Sequence, residues 1–218
     1  MTLTTLRDRV ELRLSDSGNA IWATGLIDAG IKLALHEYSQ AVPRVIEASI
    51  TFSSATRELD ISSLSNVLDI RRVWTPYNSS SPEHPPYWRY FDWWRDLEII
   101  YFPDSDEPQN NDVCRIFYGT LHTIDGLDSA SATTIKETMV SWFEIGAAGF
   151  AAQSRSLDLT EQVVLSRSDI DDIGAWGLER LVEFRAALEV ETQTEAVRRG
   201  GRIELPPLDR WDKSDDWS

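Results

Sequence analysis

Residues 24–43, TGLIDAGIKLALHEYSQAVP, decide how the rest of the chain is read. Leu26, Ile27, Gly30, Ile31, Ala34, Leu35 and Tyr38 recur at three- and four-residue spacing, the period of one helical face, and Thr24 offers an N-cap. A helix over 24–41 is therefore predicted. Pro43 stops it, because proline lacks an amide hydrogen and disfavours helix in the residue before it. Directly beyond, the texture changes. Residues 45–124 hold β-branched and aromatic side chains in short runs between Ser, Pro, Asn and Asp clusters, which predicts strands near 45–52, 57–61, 67–74, 88–94, 97–102 and 113–123. Two loops, 76–86 with its prolines and the acidic 103–112, are expected to project from the sheet.

On the N-terminal side, Leu3, Leu6, Val10 and Leu14 place a short amphipathic helix over 3–14, followed by a turn at 15–19 and Trp22. The interleaved charges of this opening stretch are unlike the unbroken apolar run of a signal peptide. On the C-terminal side, helical period returns at 132, where Thr134 and Glu137 have capping-box spacing and Ile135, Met139, Trp142, Phe143, Gly146 and Phe150 form a stripe. A last helix is predicted over 168–198, opened by Ser168 and by Asp169, Asp171 and Asp172 at the positive end of its dipole. Its core face reads Ile173, Gly177, Leu181, Phe184 and Leu188; the polar stretch 189–199 is expected to be solvent-exposed or held by another molecule, and Gly200 and Gly201 end it.

These elements make an α+β chain. Its helical body has about four helices, formed by residues 1–44 and 125–200, with an inserted antiparallel β-rich region at 45–124 and an extended C-terminal arm at 201–218. In the arm, Ile203, Leu205, Leu208, Trp211 and Trp217 sit among Pro206, Pro207 and four aspartates, too sparse to close a core. Either it is a free tail or it orders in a partner's groove. Two Trp favour the groove, since a solubilising tail has no need of them.

Composition narrows the function classes. With 218 residues, 42% hydrophobic and nine Trp, the chain is expected to fold around a sizeable core. A net charge of −15 argues against a reader of nucleic acid, which gains affinity by neutralising phosphates with Lys and Arg. One cysteine, Cys114, excludes an internal disulfide, fits a chain made in a reducing cytoplasm, and reads as a small buried strand residue. No apolar run is long enough to span a membrane. His36, His84 and His122 have no metal-ligand spacing, and no nucleotide-cradling or nucleophile-elbow motif occurs, so no cofactor and no catalytic residue is expected. Asp104, Asp106, Glu107 and Asp112 lack the glycine and closing glutamate of a calcium loop. The densest feature is the aromatic cluster at 87–102, with Trp88, Trp93 and Trp94. One reading is a hairpin covered on one face by the core and on the other by an adjacent subunit. The alternative is a carbohydrate- or receptor-binding module whose aromatics stack on sugar rings.

The order Leu6, Val10, Leu14, Asp16, then Trp22 and Thr24, then Ile31, Ala34, Leu35, Glu37, Tyr38 and Pro43 resembles the head-tail adaptor (connector) proteins of tailed bacteriophages. The likeness covers residues 3–44, continues loosely through 57–61 and through Val73, Trp74 and Pro76, and in the closing helices extends to layout alone. It implies a structural protein of the virion neck, made in the host cytoplasm. Such a subunit forms a homo-oligomeric ring, usually of twelve, beneath the portal protein and joins it to tail or neck proteins. Residues 202–218 would then be the portal-gripping arm. Genomic DNA would pass through the ring without specific binding, repelled by a channel to which Asp171, Asp172, Glu179, Glu183 and Glu191 contribute.

Overall fold

Helix α2 (Thr24–Ala41) buries Ile27, Gly30, Ile31, Ala34 and Tyr38, the face that its spacing predicts. The structure, a computed structural model, describes residues 1–16, 22–78, 80, 90–103, 107–160 and 167–199. Thr24 does not cap α2: the cap position is Ala23, which has no side-chain hydrogen bond to give. Helix α1 (Leu3–Arg13) is capped by Thr2, whose hydroxyl accepts the Thr5 amide hydrogen at 3.3 Å, and buries Leu3, Leu6 and Val10. Arg7 clamps α1 to α2 through both oxygens of Asp28, at 2.6 and 2.7 Å.

Helix α3 (Val140–Thr160) runs between α2 and α4 (Arg167–Arg199) and is the centre of the helical body. Its start differs from expectation. Residues Glu137–Met139 form a 3-10 turn, and Thr134 caps nothing, because its hydroxyl accepts the Thr123 amide hydrogen at 2.9 Å and meets the His122 ring. Of the expected stripe, Ile135, Met139, Phe143 and Gly146 are buried and Phe150 half-buried, but Trp142 faces outward. On α4, Gly177, Leu181, Phe184 and Leu188 are buried and Ile173 half-buried. The polar end of α4 is largely solvent-exposed at Glu189, Thr192 and Gln193, but Lys136 of its own chain donates to Glu191 at 2.7 Å and to Glu195. Burial alone would lower the Lys136 pKa, yet the bonds to these two glutamates outweigh it and the pKa is raised. Glu144, buried in α3, accepts from Arg9 and Arg13 of α1.

Small residues set how closely the helices approach. A Cβ on Gly30 would lie 2.5 Å from the Ala147 carbonyl oxygen and 3.0 Å from the Ala151 nitrogen. Both are backbone atoms of α3, so relief requires the two helices to separate. Gly30→Ala is expected to destabilise by about 2 kcal/mol, because the overlap exceeds the ~1 kcal/mol gained in helix propensity. Gly25→Ala, with nothing within 4 Å of the new Cβ, is the control and should be neutral or mildly stabilising in urea unfolding. Equal stability of the two variants would refute the close approach.

Among the described residues, all six strands lie between α2 and α3 in the chain: β1 (Arg44–Thr51), β2 (Glu58–Asp60), β3 (Asp69–Trp74), β4 (Asp92–Trp94), β5 (Ile99–Tyr101) and β6 (Val113–Thr120). They form two antiparallel three-stranded sheets, ordered β1–β6–β3 and β2–β5–β4, so the fold is α+β with four helices. Alternate residues of β6, Cys114, Ile116 and Tyr118, point into a second core with Val73, Phe52, Leu59, Ile61, Ile100 and Phe102. This core is distinct from that of the helices, which gathers Leu6, Val10, Ile31, Tyr38, Phe143 and Phe184. Strand β6 ends at Thr120, short of the expected 123, and the chain then crosses to the helical body.

Candidate interaction surfaces

The crossing carries His122, which has left the strand and is buried. Its Nε2–H donates to the Val42 carbonyl at 2.8 Å, at the end of α2, and Nδ1 lies 3.0 Å from both the Thr134 hydroxyl and the Thr134 carbonyl. The Tyr38 ring packs on it at 4.6 Å. Desolvation lowers the His122 pKa, with Arg44 and Lys136 adding repulsion, against bonds to Val42 and Thr134 that work the other way. His122 thus pins the end of α2 to the 134 loop within the helical body. His36 is an exposed α2 residue 2.8 Å from Gln40, while His84 lies outside the described residues.

On the outside of the helical body, α3 and α4 leave an apolar groove of about 740 Å³ floored by Met139, Trp142, Ile145, Ala187 and Val190. Leu178, Val182, Ala186 and Val190 follow one another every four residues along α4, one row on its surface. Trp142, Leu178, Val182 and Val190 are 41–63% exposed.

The acidic residues expected to line a channel do not share one face of α4. Asp172, Glu179 and Glu183 are spaced by seven and four residues and so share one side of α4. Arg180 pairs with Glu179 at 3.0 Å and Glu183 at 2.9 Å. Asp171, though exposed, is about 100° round the helix. Glu191 is half-buried against Lys136 and is turned away from the other three.

The aromatic hairpin divides its tryptophans between two faces. Trp93 packs on the β core with the Arg95 guanidinium 5.7 Å from its ring centre. Trp94, on the opposite face and 40% exposed, stacks on Tyr101 at 4.9 Å and 9°, so one side of its ring is already taken. Trp88 lies outside the described residues, as do Ile203, Leu205, Leu208, Trp211 and Trp217 of the arm. Of the acidic loop, Asp104 and Asp106 also lie outside, and Asp112 accepts the Gln109 amide hydrogen at 2.8 Å in a turn. Among the described residues, no three His, Cys, Asp or Glu are grouped to hold a metal ion, and no helix is long and apolar enough to cross a membrane.

One surface escapes the sequence reading. The outer face of the β1–β6–β3 sheet carries a cluster in which Trp74 meets Phe117 at 4.7 Å, Arg115 lies over Tyr77 at 4.7 Å, and Glu47 pairs with Arg115. The signal was present as aromatic and Arg residues alternating at 72 and 74 and at 115 and 117, the two-residue period of one sheet face.

No protein-family model matches the chain, and no curated protein matches it significantly.

Proposed function

We propose that this chain is a structural assembly subunit and not an enzyme: a head-to-tail adaptor of a tailed phage, forming a ring beneath the portal and joining it to the tail. The observation that carries the reading is the row of large apolar side chains on the outside of the helical body, Leu178, Val182 and Val190 beside Trp142. Lone exposed apolar residues are ordinary, but Trp142, Ala186 and Val190 line one groove and Val182 and Leu178 continue from it along α4, and such a run is the mark of a surface to be covered. Leu6, Val10, Trp22, Ile31, Ala34 and Tyr38 are all buried, so they specify the packing of α1 and α2 on α3.

In a twelve-membered ring the formal charge of −15 would be repeated twelve times, and a channel lined by part of it would let DNA slide without sticking. Asp172, exposed on α4, is the best candidate for that lining, whereas Glu179 and Glu183 pair with Arg180, Glu183 also lines the α3–α4 groove, and Glu191 is held by Lys136. For the sugar-binding alternative, Trp94 offers one open ring face, its other face being stacked on Tyr101, while Trp93 packs on the β core.

Co-purification with portal protein tests the reading. The full chain is expected to be retained, with rings in negative-stain images, and deletion of residues 202–218 is expected to abolish retention. A full chain that ignores portal and turns over a small substrate would end the adaptor reading.

A further inference from the structure

We infer that in the free chain the α3–α4 groove is occupied by this chain's own segment 203–211, so that the arm and the groove mask one another before assembly. Reach is the first argument. Helix α4 ends at Arg199, nine residues past Val190, or about 14 Å at ~1.5 Å per residue. Gly200 and Gly201 follow, and glycine accepts the backbone angles of a tight reversal. Residues 202–205, extended at ~3.3 Å each, come back about 13 Å and bring Leu205 level with Val190. The same rise brings Leu208 level with Val182 and Glu183, about 10 Å on, and Trp211 level with Leu178, about 20 Å on.

Chemistry is the second argument. Leu205, Pro206, Pro207 and Leu208 favour an extended, polyproline-like backbone, and Pro206 and Pro207 bring no amide hydrogens that burial would leave unpaired. Proline-rich segments of this kind dock into aromatic-lined grooves, and Trp142 supplies the aromatic wall. Across 202–211, Arg202 and Arg210 offset Glu204 and Asp209, so the run as a whole meets no net repulsion from Glu183 and Glu191 at the rim. A segment tethered this close has a high effective concentration, so weak contacts suffice to hold it.

The docking stands apart from the adaptor reading; only the release step rests on it, since a portal that captures the arm would uncover the groove for a neighbouring subunit. Two measurements on the free full-length chain test the docking. In Val190→Cys/Leu205→Cys, with native Cys114 buried, mild oxidation of a dilute sample is expected to give a bridged monomer. A bridged dimer would overturn the proposal, because it assigns the groove to a second copy. Amide exchange in 203–211 is expected to be at least tenfold slower than in an unstructured peptide, and Val190→Asp, at an exposed position, should remove that protection. Exchange at the unprotected rate in the parent chain would overturn it, and this result decides the matter if the cysteine pair is misaligned. Loss of portal binding with arm protection intact would count against the adaptor alone.

Discussion

Phe184→Ala is expected to lower the stability of the helical body by about 3–5 kcal/mol, the range for emptying a fully buried aromatic site. The Phe184 ring is wholly buried and meets Phe143 edge to face at 6.5 Å and 86°. It also closes over Gly146, where an added Cβ would lie 2.6 Å from two ring carbons. Ring and glycine are therefore a size-matched pair: neither can change alone without a void or a clash. Gly146→Ala should itself cost about 2 kcal/mol net of its propensity gain. In Gly146→Ala/Phe184→Leu the smaller side chain makes room for the methyl, so the double variant should lose at least ~1 kcal/mol less than its singles summed. Urea unfolding followed by far-ultraviolet circular dichroism measures all four corners. A cost below ~1 kcal/mol for Phe184→Ala, or strict additivity, would mean that α3 and α4 do not meet as described.

Which parts of this arrangement are legible in the residues follows from how far apart the interacting groups lie. Helix α2 is readable from its spacing and Pro43, both local, and its bounds agree with expectation at both ends. The strands are readable from texture, each to within a few residues for the part described. Thr134 and Glu137 mislead because capping-box spacing is a local signal. Here Thr134 is recruited by Thr123, eleven residues back, and the helix starts later. Trp142 misleads for another reason. It lies one residue, about 100°, from buried Phe143, so a stripe holding both is wider than the face that α2 and α4 cover. What reads as surplus core is the groove wall. Glu191 looks like a free acid because Lys136, its partner, is 55 residues away. The arm is legible as composition alone, and its place is a matter of reach and chemistry.

Replacing His122 is expected to have the other large effect, one that depends on pH. The ring donates to Val42 and accepts from the Thr134 hydroxyl when neutral, and the tilted Tyr38 ring packs against it. His122→Ala leaves the Val42 carbonyl and the Thr134 hydroxyl short of partners in a buried space, which with the cavity should cost about 3 kcal/mol at neutral pH. His122→Gln keeps a donor for Val42 and should lose less. The charged groups facing the ring, Arg44 and Lys136, are both cationic and, after desolvation, add to the lowering of its pKa; Glu191 and Glu195 meet Lys136. The sign follows from the direction of that shift. Between the lowered folded pKa and the unfolded value near 6.5, the unfolded chain binds more protons, so the stability that His122 contributes is complete above about 6.5 and drains away as pH falls toward the folded pKa. Urea midpoints of the parent chain should therefore fall between pH 7.5 and 5.5 more steeply than those of His122→Gln, in which this group no longer titrates. Parallel pH profiles would show that His122 is not held neutral where it is buried, and its role in pinning the end of α2 would have to be given up.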